Sequence, residues 1–217
     1  MDGMVKPASR SRQAEADRRR NLLEAAERVF LRKGYAAATM DDVARAAGMS
    51  KRTLYQRFES KTALFEAMIA ASLAPLRIDA GLVEHEPDIA RALGGMLLTC
   101  ARHFLAAQQC ELFRVIIAEV RRSPELADAF HRAGPGSGAS SLEMRIEAEM
   151  RRGRLRPADP RKTADMLYGM AMGAAHMKVL LGLADPPDET EIAERVDQAV
   201  AVFLRGALVA ESHSAAA

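Results

Sequence analysis

The sequence predicts an all-α fold on three observations. Apolar residues recur at helical spacing along almost the whole chain, alternation of period two is absent, and the segment ends carry capping residues. With 217 residues, 49% of them hydrophobic, the chain can bury a sizeable core. The first helix shows Leu22, Ala26, Val29 and Phe30 on one stripe and closes at Gly34 behind Arg32 and Lys33. Thr39 with Asp42 three positions on has the form of a capping box, and it opens a short helix that stops at Gly48. Ser50 caps a helix carrying Leu54 and Phe58. Ser60 caps the next, which carries Leu64, Phe65 and Met68 and is ended or kinked by Pro75.

Beyond Pro87 the helices lengthen. Residues 89–107 and 112–120 are amphipathic, Ser123-Pro124 opens another helix, and Gly134-Pro135-Gly136-Ser137-Gly138 breaks it. Residues 142–150 run into Gly153, and Asp159-Pro160 opens a long helix closed by Gly182. The last helix follows Pro186-Pro187, with Ile192, Val196, Ala199, Val200, Phe203 and Ala207 on one face. Nine or ten helices result. They divide into a disordered basic arm (1–16), a three-helix head (17–60), a larger helical body (61–210) and a disordered tail (211–217).

Charge is unevenly spread. Residues 1–61 hold 14 Lys/Arg against 8 Asp/Glu, and residues 62–217 hold 17 against 21, so a head of +6 is carried on a body of −4. A polyanion such as DNA attracts that arrangement. Two cysteines, Cys100 and Cys110, provide no disulfide framework and suit a reducing cytoplasm. On one continuous helix they would stand roughly 15 Å apart, beyond disulfide reach. The polar N-terminus lacks a secretory core, and the uncharged stretch 166–177 falls short of the ~18 residues of a membrane helix.

Residues 40–58 hold the most informative pattern. Val43, Ala44 and Ala47 are followed by Gly48-Met49-Ser50 and then by Leu54 and Phe58, which reads as a helix-turn-helix with Gly48 at a positive-φ position. Leu54 and Phe58 point one way at ~100° per residue, while Arg52, Thr53 and Gln56 point broadly the other, with Lys51 at the tip and Tyr55 on the flank. In such a motif the second helix enters the major groove, where Arg52 and Gln56 reach base edges and Lys51, Thr53 and Tyr55 reach edges or phosphates. Thr39 and Lys61 bracket the motif at helix N-termini, and Arg18-Arg19-Arg20 begin the first helix, so together they outline a clamp on the DNA backbone.

The runs Thr39-Met40-Asp41-Asp42-Val43-Ala44, Ala47 through Phe58, and Ser60-Lys61-Thr62-Ala63-Leu64 closely resemble the signature of the TetR family of transcriptional regulators. The resemblance spans residues 18–73. It implies phosphate contacts for Thr39, Tyr55 and Lys61 and base contacts for Lys51, Arg52, Thr53 and Gln56. Met40 takes a place where relatives can read bases, and Arg57, where His or Tyr is common, takes a phosphate role.

DNA half-sites repeat ~34 to 36 Å apart, so one short recognition helix requires a symmetric partner. Met166, Gly169, Gly173, Ala174 and Met177, with Val196, Val200 and Phe203 on the last helix, form the expected homodimer interface, a four-helix bundle that resembles the family's dimers. Met96, Cys100, Phe104, Phe113, Ile116, Ile117, Met170 and His176 are the expected lining of a pocket for a small apolar effector. By resemblance the effector releases a repressor from a palindromic operator by tilting the fourth helix. The expected partners are thus double-stranded DNA, a second copy and an effector, with no cofactor, no metal and no membrane.

Two other classes compete. Catalysis finds no His-Glu-x-x-His, Walker loop, Gly-x-Ser-x-Gly or paired Glu-x-x-His, since Asp128 and His131 make a single i, i+3 pair. A helical protein-interaction adaptor without DNA binding would not require Thr53, Tyr55 and Lys61 on one surface.

Overall fold

A computed structural model describes residues 7–76, 86–133 and 140–208, with side chains from Arg12 onward. The regular structure of the described residues is helical, apart from one isolated antiparallel bridge between Leu155 and Leu208. They fall into two compact units. The first holds the described residues of Met1–Ala74 and Leu112–Ser137, and the second those of Pro75–Glu111 and Gly138–Ala217. This partition differs from the expected boundary at residue 60: the fourth helix and the stretch after Leu112 pack with the head.

In the first unit, α1 (Pro7–Lys33) is followed by α2 (Met40–Ala46), α3 (Lys51–Tyr55) and α4 (Lys61–Leu73); the 3-10 turn behind α4, Ala74–Leu76, holds Pro75, where the second unit begins. Helix α1 begins at Pro7, which corrects the expectation of a disordered arm over residues 7–16. Ala, Arg, Gln and Glu are strong helix formers, Pro is tolerated in a first turn, and Gln13 donates to Asp17 one turn on at 3.2 Å. The core gathers Leu22, Val29 and Phe30 of α1, Val43 and Ala44 of α2, Leu54 of α3 and Leu64, Phe65 and Ile69 of α4. Phe30, Tyr35 and Phe65 form a ring trio with centroids 5.4–5.7 Å apart. Part of α6 (Ala107–Glu119) and α7 (Glu125–Ala133) complete this unit: Leu112, Ile116, Leu126 and Ala129 join its core, and Arg132 forks onto Glu66 with its shortest contact at 2.8 Å.

The second unit contains α5 (Ile89–Phe104), the start of α6, α8 (Ser141–Arg151), α9 (Pro160–Tyr168), a π-helical turn Gly169–Gly173, α10 (Ala174–Leu180) and α11 (Glu189–Ala207). Helices α9 and α10 continue through the π turn as the single rod expected from Pro160 to Gly182. Leu93, Leu97, Ile146, Leu167, Ala171, Met172, Val196 and Val200 fill its core. Asp159 caps α9, and Asp188 caps α11 through a reciprocal box with Glu191.

An ion cluster lies within this unit. Arg145 and Glu149 are both 0% exposed, with Nε to Oε1 at 2.8 Å. Arg152 and Arg154 also point their guanidinium groups at Glu149, while Arg145 and Arg154 donate to the carbonyls of Glu86 and Pro87 at 2.6 and 3.1 Å. Burial pushes the Glu149 carboxyl up, but the Arg154 hydrogen bond and the charges of Arg145, Arg154 and Arg152 outweigh it and hold the group below its ordinary value.

The Gly134 to Gly138 run, residues 1–6 of the arm and the tail 211–217 lie outside the described residues. Cys100 and Cys110 lie on different helices, since the chain turns at Leu105 and Ala106, so the one-helix premise for their separation does not hold.

Candidate nucleic-acid interface

The turn between α2 and α3 is built by backbone geometry that glycine permits. Gly48 has φ +65°, and Met49 and Gly48 bond back to the carbonyls of Ala44 and Arg45 at 2.9 and 3.2 Å, a Schellman ending that redirects the chain into α3. The start of α2 is the expected capping box: Thr39 Oγ1 accepts from the Asp42 amide at 3.2 Å, and Asp42 accepts from the Thr39 amide at 3.1 Å. Hydrogen bonds from Lys33 first, and from Thr39 next, hold the Asp42 carboxyl down at about 2. Ser50 caps α3 through the Thr53 amide at 3.1 Å, and the two hydroxyls also meet at 2.8 Å.

These caps set the faces of α3. Leu54 and Phe58 are buried, and Lys51, Arg52, Tyr55, Gln56 and Arg57 are exposed, with Thr53 half-buried beside Ser50. Arg18 is exposed on α1, and Thr39 is exposed at the entry to α2. Lys51 pairs with Asp41 at 2.9 Å and lies 5.9 Å from the Tyr55 ring centroid, and Arg57 pairs with Glu15 at 2.5 Å. Arg52 makes no ion pair among the described residues.

Two expected contacts stand elsewhere. Met40 is 6% exposed and belongs to the core, because the first position of α2 faces inward toward α1, so it reads no base as folded. Lys61 Nζ donates to the carbonyls of Tyr35, Ala36 and Ala38 at 2.7, 3.3 and 3.0 Å and lies 4.3 Å from the centroid of the Tyr35 ring. Its three donors are engaged by the loop between α1 and α2, and burial lowers its pKa against the partial support of Glu125 and Glu119. Lys61 therefore holds the loop that delivers Thr39 instead of presenting a free cation to a phosphate. That role is invisible in side-chain spacing.

The expected pocket residues are distributed over both units. Phe113 stacks edge-on with Phe130, Ile116 is buried, and Ile117 is 57% exposed, all in the first unit. In the second unit Met96 is in the core and Phe104 meets Tyr168 edge-on at 5.8 Å. Burial lifts the Cys100 thiol to about 11, which opposes a thiolate redox role, and burial lowers the pKa of half-buried His176. Met170 and Ile117 are surface residues instead of pocket lining. None of the eight lines the groove of about 460 Å³ between α5 and α11, which is bounded by Arg91, Gly94, Gly95, Leu98, Val196 and Val200.

Of the expected dimer residues, Met166, Gly169, Gly173, Ala174 and Met177 are exposed along the α9 to α10 rod. Val196 and Val200 face inward against α5, and Phe203 is half-buried, because the stripe read on the last helix serves its own core. No group of three His, Cys, Asp or Glu side chains placed to hold a metal occurs among the described residues, and no described helix is long and apolar enough to cross a membrane.

Comparison with known proteins agrees with this geometry. Residues 22–68 match the model of bacterial regulatory proteins of the tetR family, and residues 91–206 match that of the C-terminal domain of AefR-like transcriptional repressors. The HTH-type transcriptional regulator YhgD of Bacillus subtilis is 30% identical over 158 residues, covering 68% of this chain and 77% of that protein. A TetR regulator from Agrobacterium tumefaciens superposes with a TM-score of 0.73 at 28% identity, over 90% of this chain and 97% of that one. The flavonoid-responsive regulator FrrA gives 0.67 at 29% identity, over 89% and 98%. The chain thus belongs to the TetR family of bacterial regulators and is a helix-turn-helix, DNA-binding regulator of transcription.

Proposed function

We propose that this regulator acts in the cytoplasm as a homodimeric repressor, that it grips a palindromic operator with α3 of each copy, and that a small apolar effector lowers its DNA affinity. The observation that carries the reading is the exposed row of Lys51, Arg52, Tyr55 and Gln56 opposite buried Leu54 and Phe58. Arg52 and Gln56 have the reach and donor pattern for base edges; Arg18, Thr39, Tyr55 and Arg57 suit phosphates, and Lys51 and Thr53 either. The match to a repressor C-terminal domain supports repression, and FrrA, responsive to flavonoids, supports a small-molecule effector.

The second copy is supported by a row of exposed apolar side chains. Met166 at 69%, Met170, Met177 at 55% and Leu181 recur at spacings of four, seven and four, interleaved with Gly169, Gly173 and Ala174, which let another helix approach. Met177→Glu places a charge in that row and should yield monomers by sedimentation where the parent is dimeric; a parent protein that is monomeric at micromolar concentration overturns the interface.

Selection of bound duplexes from a random pool should return a two-fold symmetric consensus. Arg52→Ala should then weaken binding to that consensus by about 5- to 150-fold and relax preference at one position per half-site. An asymmetric consensus, or full affinity in Arg52→Ala, contradicts the proposal.

A further inference from the structure

Two cations of the recognition surface are already paired with carboxylates that no capping role explains. Lys51 Nζ lies 2.9 Å from one oxygen of Asp41 and 3.2 Å from the other, and Arg57 Nη1 lies 2.5 Å from Glu15. Asp41 stands in the first turn of α2, where an acid is favoured, yet the capping carboxylate there is supplied by Asp42. Glu15 reaches Arg57 across 42 residues of sequence from the N-terminal part of α1. Both pairs are open to solvent: the Lys51 and Asp41 side chains are 60% and 52% exposed, and those of Arg57 and Glu15 are 33% and 51% exposed. Pairs this exposed contribute little to folding. They also leave two acids on a surface that must meet a polyanion, where each is a liability for binding.

Resting on the reading that this face meets DNA, we infer that Asp41 and Glu15 are internal competitors of the DNA phosphates and determine specificity by holding down sequence-independent affinity. A phosphate approaching Lys51 or Arg57 must displace a carboxylate that stays nearby and repels it. A neutral pair also neutralises no net phosphate charge, so it releases fewer condensed counterions from the duplex than a bare cation does. The penalty falls on backbone contacts. Arg52, without such a partner among the described residues, keeps its full capacity for base edges, so a cognate site offsets the penalty and a random site does not. The pairs perturb their members accordingly: the hydrogen bond from Arg57 holds the Glu15 carboxyl below its ordinary value, and the hydrogen bond to Asp41 raises the Lys51 ammonium.

The test titrates the full chain with a random-sequence duplex of about 30 base pairs between roughly 50 and 200 mM salt. Asp41→Asn and Glu15→Gln should each bind about two- to five-fold more tightly at low salt, the range in which exposed pairs operate. Each should steepen the log–log salt slope by about 0.9, and the double variant should add the two effects. Glu24→Gln makes the same change of net charge at an exposed position of α1 that has no cation partner among the described residues, and should move neither quantity. Unchanged affinity and slope in both amide variants overturn the inference, as does an equal gain from Glu24→Gln. Arg52→Ala, measured alongside, separates the two levels. If Arg52→Ala binds as tightly as the parent, the DNA face itself is misassigned. If it weakens binding while the amide variants match the parent, only the competitor role fails.

Discussion

Replacing Glu149 with alanine should lower stability by about 3–5 kcal/mol, because it removes the carboxylate that faces the fully buried Arg145. In a chain of this size that loss corresponds to a fall in Tm of roughly 6–20 °C, readable by circular dichroism. Loss of half of a buried pair is expensive mainly because the remaining charge stays desolvated. Arg145→Met combined with Glu149→Leu should therefore recover much of the deficit, and a double variant as unstable as Glu149→Ala would count against the argument. The pH dependence has a definite sign. The Glu149 carboxyl is held below its ordinary value in the folded chain, so its contribution is complete above the ordinary carboxylate range and is lost as pH falls through the folded value. Glu149→Gln should remove that acid-side loss while lowering stability at neutral pH.

Lys61→Met should lower stability by about 2–3 kcal/mol, since three carbonyls of the loop between α1 and α2 lose a charged donor that the Met side chain cannot replace. Duplex affinity should fall with it, because that loop leads directly into Thr39 and the capping box of α2. A residue acting only as a phosphate contact would behave differently: folding would be untouched and the salt slope would become shallower by about 0.9. Differential scanning calorimetry and a salt series on the same preparation separate the two behaviours. An unchanged melting temperature with a shallower slope would return Lys61 to the DNA surface.

The features legible in the sequence were those set by neighbours within one helical turn. Thr39 with Asp42, Ser50, Ser60 and Asp159 cap helices because a short polar side chain reaches an amide two or three residues on. Gly48 takes the positive φ that ends α2 because glycine alone adopts that backbone region without strain. The outward face of α3 followed from the same period of 3.6.

What the sequence hid depends on partners far along the chain. The helical stretch 7–16 has no apolar stripe, and a tie to Arg57 from 42 residues away is not a periodic signal. Met40 is apolar and buried, and its expected base contact came from the resemblance and not from its residue type. The packing of α4 against α7, with Glu66 meeting Arg132 over 66 residues, brings residues 112–133 into the first unit, and no local rule anticipates it. Val196 and Val200 were read on the correct helix, yet an apolar stripe alone does not say whether its own chain or another covers it.

The carboxylate that opens α2 keeps its proton off until about pH 2, and the histidines of this chain begin only at residue 85. Residues 17–60, which carry the helix-turn-helix, therefore contain no imidazole. The imidazole found in the described part of the same unit is that of His131 on α7, so the surface set toward the double helix carries none of its own.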